Sequence, residues 1–549
     1  MNKGHAPGAI TRSYAPDFIA GLSIAGLLLP EAVAYSGIAN LPPQAGIVGL
    51  IAGLACYGLL GTSRFAIVAA TSSSAAVLAA ATASMASDNE GLRLALAAGL
   101  VLLAGVYFLA AAVARLGQIT DFIARPVLRG FAFGLALVIV ARQLSTIAGV
   151  HAIGGDIFRY VISLVGQTGQ WNLASIQVGL TALLLLILLG RLPRVPGGLI
   201  VIALGITATR GLGLEGRGVH LVGPIHLALP LPSVPGLDRA EWLRIGEIAV
   251  AVVLVLYSES YGAIRSFAIK HGDSVEPNRD LLALGVSNVL SGILGGMPVG
   301  AGYSATSANE SAGARSRAAG LIALLLLVAV AALVLPEIAL TPEPVLAAIV
   351  IHAVSHSLKP EIFRPYFTWH RDRVVAVTSV FAVLWLGVLD GLLASIAISL
   401  IMMLRRLSVS TVVVLGRLGA SHDFLNIADH REAQPVPGIL ALRPDEPLFF
   451  ANVERVLIET RRRISAADAT VHTVILSLEE SYDLDSSSVE ALEIFFAWVA
   501  AQDRHLILAR LKHPVHELLK RVVPKDASAP VMIGLSVDDA VSIALERAR

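Results

Sequence analysis

Charge is scarce in this chain: of its 549 residues only 15% are Asp, Glu, Lys or Arg, while 55% are hydrophobic. Most of the charges it does have lie in the last quarter or in short clusters. The single cysteine, Cys56, excludes an intrachain disulfide and any cluster of cysteine metal ligands. A net charge of +1 provides no basic field for nucleic acid. No nucleophile–base set is visible, and His352 and His356, four apart, have no matching Asp, Glu or Cys; the chain is expected to be neither an enzyme nor a metalloprotein. The Gly-rich GLGLEGRG at 211–218 lacks the strand and helix of a nucleotide site and reads as a loop.

What remains is length and apolarity. Mean hydropathy is +0.74, and apolar runs recur from about Asp17 to Arg406. A helix needs about 20 apolar residues to cross a bilayer. Fourteen spans are expected, several of them short, from 17–36, 44–60 and 66–86 through to 373–388 and 390–406. The polar lead-in 1–16 has no cleavage signal, so the first span is expected to be retained. An even count puts both termini on one side. Arg64, Arg125, Arg129, Lys270, Arg315 and Arg405 then share that side, which the positive-inside rule makes cytoplasmic.

Two spans are interrupted by Gly, Pro, Ser and Thr. They are TSRFAIVAATSSSAAV (62–77) and GGMPVGAGYSATSANES (295–311). Irregular backbone at membrane depth is tolerated where protein or a polar cavity satisfies it, and interruptions at matching places in two halves point to a transporter's binding site. The match is measurable, since Glu31 precedes Ser72 by 41 residues and Glu259 precedes Ser304 by 45. Two halves of seven spans must have opposite orientations, so the repeat is inverted, in about 17–211 and 245–407. Crossing breaks would aim two helix N-termini at one another, each with unpaired N–H groups and the positive end of the dipole, a site for an anion.

The candidate substrate contacts are Ser72, Ser73 and Ser74 in the first break and Ser304, Ala305 and Thr306 in the second, with Tyr35 one turn beyond Glu31. Glu31 and Glu259 are the candidate ion-coupling groups, because a carboxylate inside a membrane is costly and marks function. Glu31 is expected to carry a co-transported proton, its alternative being a structural bond to the backbone freed by Pro30; Glu259 could bind a proton, hold sodium or tie the core helices together. Asn309 is expected to bond between helices.

After Arg406 the texture changes. A linker (408–436) leads to a soluble segment, 437–549, in which short apolar strands alternate with amphipathic helices, as in a small α/β domain. Its strands are expected at 439–443, 448–452, 471–479, 505–511 and 530–535. Asp485 and Ser486 open one of its helices.

The chain resembles the sulfate permease (SulP) family of anion transporters over nearly its whole length. The matching stretches include DFIAGLSIAGLLLPEAVAYSGIANLPPQAGI (17–47), GLLGTSRF (58–65), RPVLRGFAFG (125–134) and ESYGAIRSFA (259–268). NRDLLALGVSNVLSGILGGMPV (278–299) and SANESAGARS (307–316) continue the resemblance. The tail from Pro437, with YDLDSSSVEAL (482–492), is similar to the STAS domain that follows the membrane region in that family. The resemblance implies a 7+7 inverted repeat with core and gate domains, a homodimer in a bacterial-type inner membrane, and secondary transport of a small anion. It also implies that Ser486 stands where related STAS domains are phosphorylated, with N-capping as the plainer role. Two positions depart from the family pattern. Ala305 stands where many members have arginine, and Ala69-Ala70 where Gly-Pro is common, leaving the site short of fixed positive charge. The rival readings are a membrane sensor or scaffold signalling through STAS, and a carrier of the same fold for a neutral substrate such as a nucleobase.

Overall fold

The computed structural model describes residues 14–86, 89–117, 124–150, 152, 157–191, 197–223, 231–368, 372–408, 411–523 and 529–548. The chain divides into two compact units, 1–399 and 400–549.

The first half of the membrane unit runs α1 (Ala15–Ile38), α2 (Pro43–Leu60), strand β1 (Val68–Ala69), α3 (Ser72–Ala86) and α4 (Glu90–Val113). It continues with α5 (Arg125–Ala148), the short α6 (Ile157–Gly166), α7 (Leu173–Leu189) and α8 (Gly197–Leu212). The second half repeats the order: α9 (Arg239–His271), α10 (Pro277–Ile293), β2 (Gly300–Ala301), α11 (Tyr303–Ser311) and α12 (Ala318–Ile338). Then come α13 (Glu343–Val354), the short α14 (Arg364–Thr368), α15 (Arg373–Leu386) and α16 (Val388–Ser408). Setting aside α6 and α14, fourteen helices stand where the fourteen spans were expected. Proline opens α2 and α10, where a missing N–H costs nothing. Of the helices wholly among the described residues, four are long and apolar enough to cross a membrane unaided: α1, α2, α4 and α5.

The packing carries the repeat's signature. α1 packs on α12 while its counterpart α9 packs on α4; α2 meets α12 while α10 meets α4; α5 meets α15 while α13 meets α7. Each contact recurs with the halves exchanged, as a pseudo-two-fold axis requires. Helices α1–α4 and α9–α12 form one bundle, and α5, α7, α8, α13 and α15 form a second. The bundles meet where α1 touches α8 and α13, and where α3 touches α5.

Glycines on one face of α2 permit the closest approaches. A Cβ at Gly46 would lie 2.0 Å from the Ala32 carbonyl of α1, and one at Gly53 would lie 2.4 Å from the Val68 carbonyl of β1. Gly49 sits against the backbone of Met297, just before β2. One helix face thus holds the first glutamate-bearing helix and both breaks, because small residues let backbones meet.

The second unit is a sheet ordered β4-β3-β6-β7-β8-β9, with β5 pairing β3. The strands are β3 (Val412–Leu418), β4 (Phe424–Asn426), β5 (Ala433–Gln434), β6 (Ile439–Pro444), β7 (Thr473–Ser477), β8 (His505–Ala509) and β9 (Val531–Met532). Helices α17 (Val453–Ser465), α18 (Ser486–Ala500), α19 (His513–Val522) and α20 (Val537–Ala548) connect or follow them. From β6 to β9 the pairing is parallel, and β3 is antiparallel to β6. Val474 and Leu476 of β7 face a core shared with α17, α18 and α19, while Ile475 faces α20 on the other side.

Two expectations differ here. The stretch expected as linker supplies β3, β4 and β5; the β-branched run Thr411–Val414 pairs with β6 and extends the sheet. Residues 448–452 form a turn, not a strand. Buried Asn452 accepts from the Phe449 N–H at 2.9 Å and donates to the Pro447 carbonyl at 2.8 Å, folding the segment onto the start of α17.

Candidate functional site

The two breaks pair with each other. β1 and β2 are antiparallel, with Val68 opposite Ala301 and Ala69 opposite Gly300. Each strand runs within a few residues into its half-helix, so α3 and α11 leave the ribbon in opposite directions and their N-termini flank it.

Backbone groups freed by the breaks are met by neighbouring elements, some in the same half and some in the other, which irregular backbone inside a membrane requires. In the second break, the Val299 N–H donates to Asn288 Oδ1 and Asn288 Nδ2 donates to the Val299 carbonyl, both at 2.9 Å. The Ala301 N–H donates to Ser260 Oγ at 2.8 Å, and Met297 N–H to the Ala45 carbonyl at 3.0 Å. Ser74 Oγ of α3 lies 3.2 Å from the Pro298 carbonyl. In the first break, Asn309 Nδ2 of α11 donates to the Phe65 carbonyl at 2.9 Å, and the Ile67 N–H donates to Thr306 Oγ1 at 3.4 Å.

The two N-termini are finished differently. Thr71 and Ser74 close the start of α3 reciprocally: Thr71 N–H donates to Ser74 Oγ at 2.9 Å, and Ser74 N–H to Thr71 Oγ1 at 3.1 Å. Ser73 Oγ donates to Glu259 Oε2, and Thr71 Oγ1 lies 3.3 Å from the same oxygen. A carboxylate therefore already sits at the positive end of α3. α11 begins at Gly302 with no side-chain cap, and among the described residues its first N–H groups have no side-chain acceptor.

Glu31 is buried on α1 just after Pro30, and no hydrogen bond to its carboxylate is found among the described residues. Tyr35 is buried one turn on. Ser73 is joined to Glu259 through its hydroxyl. Ser72 is half-buried and Ser304 exposed at the first turns of their helices, while Ala305 is buried. Ser74 and Thr306 are engaged with backbone. Asn309 bonds between helices as expected.

Sequence reasoning missed Asn288 and Ser260, which hold the second break. It also missed two buried aspartates that tie helix ends together. Asp280 accepts from Tyr57 Oη at 2.9 Å, the Thr62 N–H at 2.8 Å and Thr62 Oγ1 at 2.7 Å. Asp17 accepts from the N–H groups of Arg315 and Ser316 at 2.7 and 2.9 Å. The available signal was an acidic residue in the first turn of an apolar helix, which is costly there unless satisfied.

In the second unit, Asp485 caps α18, accepting from the Ser488 N–H at 2.8 Å and the Phe450 N–H at 2.7 Å. Burial pushes Asp485 up, but these donors outweigh it and hold the carboxyl below its ordinary value. Ser486 and Ser487 are exposed beside it.

Fourteen membrane helices in an inverted repeat, a paired break at its centre and a following STAS-type α/β unit define a multi-pass membrane protein of the transporter class. The sulfate permease family profile matches residues 15–382 and the STAS domain profile residues 430–537. The chain belongs to the sulfate permease family. It is 33% identical over 528 residues to a probable sulfate transporter of Mycobacterium tuberculosis, covering 94% of each chain. It is 27% identical over 562 residues to high affinity sulfate transporter 2 of Stylosanthes hamata, covering 97% of this chain and 84% of the other. The structure of the murine Solute Carrier 26 family member A9 anion transporter, inward-facing, superposes with a TM-score of 0.90 at 22% identity, over 98% of this chain and 92% of that one. The transmembrane domain of the cyanobacterial bicarbonate transporter BicA superposes with a TM-score of 0.62 at 22% identity, over 70% of this chain and 98% of that one. At those identities the likeness is one of fold.

Proposed function

We propose that this protein is a secondary active transporter of a small anion of the sulfate, dicarboxylate or bicarbonate class, bound between the N-termini of α3 and α11 and coupled to protons. The observation that carries the reading is the antiparallel pairing of β1 with β2, which brings two helix N-termini to one place inside an apolar bundle. Exposed Ser304, half-buried Ser72 and the uncapped first turn of α11 supply donors for an anion. Relatives named as sulfate transporters, and solved structures named as anion and bicarbonate transporters, support the substrate class.

Coupling follows from the two glutamates. A bare carboxylate at Glu31 repels an anion nearby, and a proton on it removes the repulsion. Binding of both together, and release of both on the other side, is symport. Glu259, held by Ser73 and Thr71, remains as fixed negative charge or as part of a sodium site. Alternating access would come from movement of the α1–α4/α9–α12 bundle against the other bundle, an elevator-type motion. The protein would act as a homodimer in the inner membrane with both termini cytoplasmic. The STAS domain would be regulatory. Asp485 already occupies the end of α18, so capping is what the geometry there favours, and phosphate on Ser486 would meet its charge.

Purified protein in liposomes tests this. Uptake is measured across sulfate, dicarboxylates, bicarbonate and halides, with imposed proton and sodium gradients. Accumulation of one anion driven by an inward proton gradient is the expected result. Absence of uptake or exchange for every anion would favour the sensor reading, and uptake of a nucleobase would favour the neutral-substrate carrier.

A further inference from the structure

Between α5 and α7 the chain leaves the bundle and returns to the same level. Gly149 ends α5 in the left-handed conformation, at φ 68°, and the Asn172 N–H donates to the Ala148 carbonyl at 2.9 Å. Within this excursion lies α6, IFRYVISLVG. Its depth is fixed by its inner face. Tyr160 Oη is hydrogen-bonded with Ser145 Oγ, one turn from the end of α5, and Leu164 packs on Ala148 and Val150. The helix is therefore held at the level where α5 finishes.

At 3.6 residues per turn, α6 has three faces rather than two. Ile157, Tyr160 and Leu164 face the protein. Arg159, Ser163 and Gly166 form a polar face. Between these faces, Phe158, Val161, Ile162 and Val165 make a continuous apolar strip that the fold leaves uncovered, with Ile162 72% exposed. This strip is continuous with a membrane helix. The Phe158 ring lies 6.5 Å from Trp385, edge to face. Trp385 is in the last turn of α15 and 76% exposed, with Phe381 one turn before it also exposed. Trp171, at the other end of the excursion, donates its indole N–H to the Leu164 carbonyl. Tryptophan at both ends of the strip is the pattern of the headgroup region, where an apolar ring and a polar N–H are both satisfied.

We propose that α6 lies in the plane of the bilayer interface, with Phe158, Val161, Ile162 and Val165 inserted among the lipid acyl chains and Arg159 and Ser163 at the headgroup–water side. An amphipathic helix so placed binds a lipid surface through its buried apolar area. It clamps the bundle containing α5, α7 and α15 to one depth in the membrane, a fixed frame against which the other bundle can move. A second copy of this chain is the competing occupant. The continuity with Trp385 and Phe381, and the polar face turned aside from the strip, favour lipid.

The test is site-directed spin labelling of the intact protein in liposomes, one cysteine at a time. Cys56 is buried, so unsubstituted protein serves as the labelling blank. Labels at Phe158→Cys, Ile162→Cys and Val165→Cys are expected to be several-fold more accessible to oxygen than to a water-soluble nickel chelate. Labels at Arg159→Cys and Ser163→Cys are expected to show the reverse. Equal nickel accessibility at all five positions would overturn the proposal, as it would place α6 in water. Shielding of 158, 162 and 165 from both reagents would also overturn it, because protein would then cover the strip. Three positions on the strip keep the result readable should one substitution fail to fold.

Discussion

The two half-helices occupy equivalent places in the repeat, yet they are finished in different ways. At α3 the first turn is closed by Thr71 and Ser74, and Glu259 takes the Ser73 hydroxyl. At α11 the first turn has no side-chain cap, Ser304 is exposed, and Ala305 stands next to it without a charge. One end has its positive potential offset by a protein carboxylate; the other leaves it open. An inverted repeat thus supplies the frame twice, while the asymmetric side chains fill one end and leave the other open. The glutamates divide in the same way. Glu259 has hydroxyl partners, whereas Glu31 has none among the described residues.

The largest effect is expected at the bare carboxylate. Glu31→Gln should reduce proton-driven accumulation in liposomes to background while leaving counterflow exchange of the anion, since exchange needs no net proton movement. Glu259→Gln should act on affinity instead, because it weakens what Ser73 and Thr71 hold. If a pH gradient still drives uptake by Glu31→Gln as in wild type, the distinction between the two glutamates is wrong.

Next in size is the charge at α11. Ala305→Arg adds a positive charge beside the uncapped turn. At an effective dielectric constant of about 20 and a distance of about 6 Å, one unit of charge is worth roughly 3 kcal/mol before screening. With screening taking about half of that, preference for a divalent over a monovalent anion should rise on the order of tenfold, read by competition in uptake assays. An unchanged ratio in a folded variant would mean that α11 does not face the substrate.

A third comparison sets Asn288 against Asn309. Asn288 is bonded at both ends to Val299, so Asn288→Ala should strand a buried N–H and a carbonyl at a cost of about 2–3 kcal/mol. Asn309 makes one such bond and its Oδ1 has no partner among the described residues, so Asn309→Ala should cost about 1 kcal/mol. Thermal unfolding in detergent should rank the midpoints wild type, Asn309→Ala, Asn288→Ala. The reverse order would make the first break the more dependent one.

Much of this was legible in the chain because the membrane makes backbone needs visible. Hydropathy placed the helices, and the polar runs at 62–77 and 295–311 located the breaks, since two such runs stand at matching places in the two halves. The similar spacing from Glu31 and Glu259, 41 and 45 residues, exposed the repeat. What stayed hidden was which hydroxyl serves the ligand and which serves the fold. Ser72, Ser73 and Ser74 are identical letters, but only pairing with a distant break shows that Ser74 is tied to Pro298 and Ser73 to Glu259. Asn288 and Asp280 were hidden for the same reason, their partners lying on other elements. In the second unit, alternation found the helices but misread 448–452, where Asn452 bonding overrides the strand preference of Leu-Phe-Phe.

The smallest expected difference tests whether the two breaks are braced equally. Ser74 joins the cap of α3 to the Pro298 carbonyl, so Ser74→Ala should lower stability by about 1 kcal/mol. Thr306 offers only a 3.4 Å acceptor to the Ile67 N–H, and Thr306→Val keeps the shape of the side chain, so a loss of a few tenths of a kcal/mol is expected. Neither change removes a group left free for an anion, so substrate affinity should stay near wild type in both while the unfolding midpoint falls further for Ser74→Ala. A large loss of affinity in Thr306→Val without loss of stability would move Thr306 from the brace to the binding site. The second half-helix would then present Thr306, its fourth residue, to the anion as well as Ser304.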